Sequence, residues 1–600
     1  MSELRTAAGE SEIGPTVLPE WDLGDLYPGP EAPELARDLA ASNEAAAEFA
    51  ERYQGRLAEL DGAALAEAIR RYERISETLG RLASYAELRH AALMTDPTIS
   101  RQAQDMREKV TDISARTLFF TLELNRLEDA RLEALFEVPA LAHYRPWLRD
   151  LRAFRPHQLS DEAERLLHEK AVAGRQAWVR LFDETLASLR FPFRGKELTD
   201  SEILHLLSDK DESKRREAAQ SLSLVLGRNQ HLLVLITNTL AKDKEIEDRW
   251  RRFPEPASAR HLANQLEAEV VSALAGAVEE AYPRLSHRYY RIKARWLGKE
   301  KLETWDRNAP LPEDDDREIA WAEARRTVVD AYRDFSPEMA RIVERFFLEP
   351  WIDAPLRPGK ASGAFCHPTV TSAHPYVLLN YQGKPRDVMT LAHELGHGVH
   401  QVLAAGQGYL MSDTPLTLAE TASVFGEMLT FQALLRGERD KRRRRVMIAG
   451  KVEDMLNTVV RQIAFYEFER KLHAERRAGE LTEERIGEIW MEVQERSLGD
   501  AFRYDNGYRV FWSYIPHFIH TPFYVYAYAF GDCLVNSLYA VYERAEPGFE
   551  ARYLAMLRAG GTLRHKELLA PFGLDASDPG FWRKGLALIE RLIAELEASF

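Results

Sequence analysis

Apolar residues recur at helical spacing along almost the whole chain, and this pattern restricts the possible folds more than any other feature. ELARDLAASNEAAAEFAERYQGRLAEL from Glu34 and ALAEAIRRYERISETLGRLASYAELRHAALM from Ala64 each place an apolar stripe on one helix face. Similar segments fill residues 30 to 185 without convincing strand alternation, and no fixed-period repeat points to a solenoid. With 45% hydrophobic residues over 600 positions, the chain can bury a sizeable helical core. FPFRGKEL (191–198) breaks the pattern, which resumes after Thr199 and Asp200, both candidate N-caps. The expected organisation is a loose polar tail over 1–18, an N-terminal helical domain over 19–195 and a second domain over 196–600.

Charge and cysteine content exclude some classes. A net charge of −15 repels nucleic acid at long range, and the basic run in RDKRRRRV (439–446) reads as a solvated helix face. Two distant cysteines, Cys366 and Cys533, make no disulfide framework and fit a reducing, cytoplasmic setting. The N-terminus lacks the apolar stretch of a secretory signal. VFWSYIPHFIHTPFYVYAYAFG, between Arg509 and Asp532, is uncharged and long enough to span a bilayer. Its prolines, histidines and tyrosines suit a lipid-facing helix poorly, so a buried protein segment and no membrane partner are expected.

Helix gives way at residues 350–385. PWIDAPLRPGKASGAFCHPTV is rich in Pro and Gly, and SAHPYVLLNYQG reads as a strand through Tyr376, Val377, Leu378 and Leu379. A small sheet is therefore expected just before DVMTLAHELGHGVH. A sheet edge there could hold a peptide through main-chain hydrogen bonds. The stretch 296–316 reads as a loop around Pro310 and Pro312.

In LAHELGHGVH, His393 and His397 stand at i and i+4 on one helix face, where both can reach one metal ion. Glu394 could reach the water that the metal activates rather than the metal. H-E-x-x-H alone arises by chance in roughly a few per cent of chains this long. Gly396 and Gly398 would let another backbone pack closely, at a cost of about 1 kcal/mol each in helix propensity. A catalytic zinc needs a third protein ligand. Position 403 is Leu, so a histidine at that extended spacing is absent. His400 lies near the same stripe, but one helix does not easily aim three turns of side chains at one ion. SDTPLTLAETASVFGEMLTFQALL (412–435) reads as a second helix after Pro415, with Glu420 and Glu427 on one face among Leu418, Val424, Phe425 and Met428. Carboxylates in such surroundings are costly unless paired or metal-bound. Glu420 is the expected third ligand, and Glu427 the carboxylate that holds a histidine ring nitrogen.

HELGH followed by LTLAETASVFGE resembles the M3 family of zinc metallopeptidases, in its oligoendopeptidase F branch, with a more distant likeness to thimet oligopeptidase. The likeness extends to PEWDLGDLYPG (19–29), GAFCHPTVTSAHPYVLLNYQGKPRDVMTLAHELGHGVH, IPHFIHTPFYVYAYAFG (515–531) and GGTLRHKELLAPFGLDASDPGFWRKGL (560–586). It implies a mainly α clamshell with a deep central substrate channel and a small β-sheet beside the metal helix. It implies one Zn2+ on His393, His397 and Glu420, with Glu394 as base and Glu427 as a second carboxylate near the site. His517 and Tyr524 fall where the family grips the substrate and its developing oxyanion. Gly363, Ala364, Tyr526 and Tyr528 are weaker substrate contacts by the same likeness. The implied activity is endopeptidase cleavage of short unfolded peptides. A zinc aminopeptidase, or an inactive helical peptide-binding protein, is the alternative.

Overall fold

The computed structural model describes residues 18–171, 173–312 and 317–600. Residues 1–17, most of the expected tail, and 313–316 of the expected loop lie outside them. Helices dominate, so the mainly α reading holds. Their apolar stripes face inward: in the long helix Gly62–Ala92, Leu65, Ile69, Leu79, Leu82 and Leu88 are buried. Its Asp61 cap accepts a hydrogen bond from the Ala64 N–H at 2.8 Å.

The break at 191–198 is an antiparallel hairpin, with Phe191 opposite Leu198 and Phe193 opposite Lys196. Thr199 then caps the next helix, Asp200–His205, in a reciprocal capping box with Glu202. The expected sheet stands before the metal helix and has three short strands. Tyr376–Leu378 lies in the middle, parallel to Ile352–Asp353 and antiparallel to Phe365–His367. The N-terminal stretch is stitched onto this sheet: Asp22 N–H donates to Pro350 O, and Ala354 N–H to Pro19 O, each at 2.9 Å. Trp21 meets Tyr376 edge-on at 5.9 Å. The segment 19–29 thus braces the sheet from outside.

The uncharged run 510–531 is folded into several pieces. A 3₁₀ run, Asn506–Tyr514, leads to the short helix His517–His520 and then to the helix Tyr526–Tyr542. Phe518, Phe523 and Phe530 are buried. Among the described residues no helix is long and apolar enough to cross a membrane. The basic run opens the helix Lys441–Thr458, with Lys441, Arg442 and Arg443 exposed.

Candidate metal centre

The metal helix spans Pro385–Ala404. Pro385 occupies its first turn, and the Asp387 carboxylate accepts from the Gln382 and Lys384 N–H groups at 2.9 and 3.0 Å. Val388, Leu391, Leu395 and Val399 bury one face. His393 and His397 flank that face, with side chains 26% and 20% exposed, so their outer edges remain reachable.

The second carboxylate element is not one continuous helix. A single turn, Leu416–Ala419, ends at Glu420, and a new helix runs over Thr421–Gly437. Glu420 sits at the joint with ψ near −1°. Gly396 brings the two elements together: a Cβ there would lie 2.5 Å from Ala422 O, so only glycine permits this approach. Gly398 serves a different purpose from the one expected. A Cβ there would stand 2.5 Å from the Phe346 ring, not against backbone.

His393, His397 and Glu420 each turn one ligand atom inward, all within 4.8 Å of one another. Glu420 Oε2 lies 3.4 Å from His393 Nε2 and 3.5 Å from His397 Nε2. Ligands about 2.0–2.1 Å from a tetrahedral ion stand about 3.3 Å apart, so the spacing fits one small cation. Ser423 Oγ donates to the same Glu420 oxygen at 2.7 Å and fixes its orientation. His400 is buried and outside this cluster.

Behind His393 is a chain of charges. Its Nδ1 lies 3.2 Å from Glu427 Oε2, and Lys451 Nζ donates to Glu427 Oε1 at 2.6 Å. That contact keeps the proton on Nδ1 and leaves Nε2 facing Glu420. Burial alone would raise the Glu427 carboxyl, but the Lys451 ammonium and His393 bring it down to about 2. Glu394 points the other way, toward the sheet, and accepts a hydrogen bond from the Cys366 N–H on the strand Phe365–His367. It is 7% exposed. Burial pushes its carboxyl up to about 7, with the neighbouring His393 opposing.

The tyrosine segment forms the facing wall. His517 Nε2 meets the Tyr528 hydroxyl at 3.3 Å, and Tyr528 and Tyr524 share a hydrogen bond. Both tyrosines feel the Glu420 charge, and burial raises both phenols, Tyr528 to about 12. Gly531 lies against Glu420 itself: a Cβ there would stand 2.9 Å from Glu420 Cβ. Tyr526 does not belong to this wall. It is 0% exposed, and its hydroxyl is held by Asn264 at 2.8 Å and His261 at 3.1 Å, so it has no surface to offer a substrate. Tyr526 and Tyr528 diverge because the helix starting at Tyr526 turns residues two apart by about 200°. Gly363, at φ 81°, leads into the strand Phe365–His367, and its carbonyl accepts from Asn380 Nδ2 at 2.9 Å. Ala364 is half-buried beside it.

Three supporting residues were not foreseen. Lys451 could have been suspected as a lone lysine on a face with Ile448, Val452 and Met455, all buried. Tyr332 donates to Ala392 O at 2.8 Å and braces the metal helix; nothing in its own segment announces that. Glu469 accepts from the Phe523 N–H at 2.8 Å, and Phe523 has the left-handed φ of 60°. This clamp holds the backbone one residue before Tyr524.

A helical body, a small sheet and a His–His–Glu cluster beside a buried glutamate define a metallopeptidase class, and sequence comparison makes it specific. The family model "Peptidase family M3" matches residues 205–588, and the model "Oligopeptidase F" matches 123–191. The chain belongs to peptidase family M3, with an oligoendopeptidase F-type sequence, and is a metalloendopeptidase. It is 25% identical over 591 residues to oligopeptidase PepF of Bacillus subtilis, covering 96% of this chain and 86% of that one. To group B oligopeptidase PepB of Streptococcus agalactiae it is 27% identical, over 87% of this chain and 88% of the other. The fold matches the crystal structure of oligoendopeptidase-F from Enterococcus faecium with TM-score 0.70 at 23% identity, over 94% and 97% of the two chains.

Proposed function

We propose that the protein is a zinc-dependent endopeptidase that cleaves short oligopeptides, with His393, His397 and Glu420 holding the ion and Glu394 acting as base. The observation that carries this reading is the convergence of two imidazole nitrogens on one Glu420 oxygen at 3.4 and 3.5 Å. Two histidines and one carboxylate suit zinc. When bound, zinc supplies Lewis-acid polarisation of the scissile carbonyl and of a water molecule.

The remaining steps belong to the chain. Glu394, buried beside the two histidines, accepts a proton from the attacking water and returns it to the leaving amine. Tyr524, or Tyr528 with His517 behind it, donates to the developing oxyanion. One such donor is typically worth about 3–4 kcal/mol. Glu427 and Lys451 fix the His393 ring so that it does not rotate during the reaction. The strand Phe365–His367, with Gly363 and Ala364 before it, offers main-chain groups to an extended peptide, which favours unfolded substrates over folded ones. The resemblances to oligopeptidases support the choice of short peptides.

The test is Glu394→Gln, which keeps size and leaves the ligands in place. One zinc per chain should remain, while peptide hydrolysis falls about 10²-fold or more. Loss of the metal, or retained turnover, would sink the assignment.

A further inference from the structure

The most deeply buried lysines and arginines among the described residues are answered by carboxylates. Lys293 pairs with Glu453, Lys360 with Asp353 and Lys451 with Glu427, each at 2.6 Å; Arg215 pairs with Asp306 at 2.8 Å. Arg307 and Arg461 break the pattern. Among the described residues neither forms an ion pair, and the Nε of each is buried without a partner. Arg307 donates to Asn457 Oδ1 at 3.1 Å and bonds the Tyr290 hydroxyl. Arg461 rests over the Phe465 ring at 5.0 Å. The charge that Arg461 feels most strongly is the repelling one of Arg307, and the groups opposing it are the hydroxyls of Tyr514, Tyr508 and Tyr290. Two like charges held together without a counter-ion in a chain of net charge −15 are costly, and folding alone gives no return for that cost.

The place of the pair says what would repay it. Tyr514 ends the 3₁₀ run Asn506–Tyr514, and two residues later the chain enters the helix His517–His520. The charge of Arg461 reaches His517 directly. Both arginines are half-buried as residues, although the Nε of each is buried. Planar guanidiniums with hydroxyl donors around them match a carboxylate in shape and charge.

We propose that Arg307 and Arg461, with the surrounding tyrosine hydroxyls, form a carboxylate-binding subsite that receives the free C-terminus of the peptide substrate. Every oligopeptide carries that group, whereas an acidic side chain would restrict the sequence. The subsite would thus sense the distance from the scissile bond to the chain end. This rests on the endopeptidase reading above and adds a length-measuring contact to it.

The test uses the zinc-loaded full-length enzyme and one internally quenched peptide in two forms, free acid and C-terminal amide. A second matched pair carries an internal Glu or Gln with an amidated end. The wild-type enzyme should prefer the free acid about 10- to 100-fold in kcat/KM, expressed mainly in KM, because the contact lies away from the reacting bond. Arg461→Met and Arg307→Met should each bring that ratio towards one while hydrolysis of the amide stays at the wild-type rate. Arg461→Lys, which keeps the charge but loses the fork, should retain part of the preference. The Tm of Arg461→Met should be unchanged or higher, since an unanswered buried charge is removed.

Equal rates on acid and amide by the wild-type enzyme would overturn the proposal, as would a preference that survives both Met substitutions. A marked fall in Tm would show the guanidinium to be a structural prop and would also overturn it. A preference confined to the internal Glu peptide would assign the carboxylate to a side chain and reject the chain-end claim. Failure of the wild-type enzyme to cleave any of the peptides would count against the endopeptidase reading instead.

Discussion

Around His393 the buried charges are paired in sequence, from imidazole to Glu427 to Lys451, whereas around Arg461 two cations face hydroxyls, rings and one amide oxygen but no carboxylate. The first arrangement is complete within the chain and rigid; it has the character of a support. The second is incomplete within the chain and has the character of a receptor. A third arrangement lies between them, where His517, Tyr528 and Tyr524 satisfy one another's polar atoms yet keep donors that a substrate could claim. The difference teaches that burial alone does not separate scaffold from site. Whether a buried charge has its partner within the fold is the better guide.

The comparison can be broken most forcefully at Lys451. Lys451→Met removes the cation and leaves Glu427 buried against His393. Loss of one partner of a buried pair typically costs about 3–5 kcal/mol, so a large drop in Tm is expected. The contrast with the unchanged or raised Tm of Arg461→Met is the point of the experiment; equal behaviour of the two variants would erase the distinction. Next in size is Tyr524→Phe, which removes one hydroxyl and almost no volume. If Tyr524 donates to the oxyanion, kcat should fall about 10²-fold with KM and zinc content little changed. Unchanged kcat, measured by steady-state kinetics, would pass the donor role to Tyr528 or His517.

A pH-dependent effect is expected at Glu469, behind the tyrosine wall. Burial raises its carboxyl to about 8, with the Phe523 N–H, Arg260 and Lys244 opposing. The folded protein therefore holds this proton at pH values where the unfolded chain, near 4.5, has released it. Stability from this group is fully present below about pH 4.5 and is lost as pH rises towards 8. Glu469→Gln should flatten that decline in melts recorded across the window, while still accepting the Phe523 hydrogen bond. Parallel curves for both proteins would show that Glu469 is ionised in the fold.

What could be read in the sequence follows the regularity of the backbone. His393 and His397 were legible because helical spacing fixes where i and i+4 point. Tyr376–Leu378 was legible because β-branched and aromatic residues stood between turn formers. Glu420 was legible as a residue but not as a joint, since the apolar pattern runs through the break between Ala419 and Thr421 without a signal. The tyrosine wall was least legible. Alternation in FYVYAYAF suggests one common face, yet a positive φ at Phe523 and a helix start at Tyr526 send Tyr526 into the core and leave Tyr524 and Tyr528 together. Lys451 and Arg461 lie on neighbouring helices, Lys441–Thr458 and Val460–Ala478, and no local pattern separates the paired cation from the unpaired one. Only tertiary contact does that.

The division of labour between the two carboxylates is the centre of the account, and zinc affinity measured side by side in Glu420→Ala and Glu427→Ala tests it most directly. Competition with a chelator of known affinity gives both values on one scale. Glu420→Ala should lose stoichiometric zinc and activity together, because an oxygen that both imidazoles face is gone. Glu427→Ala should keep a site weakened about 10- to 100-fold, as the loss of a ring-orienting partner does. If Glu427→Ala releases more zinc than Glu420→Ala, the ligand and its support have been assigned the wrong way round.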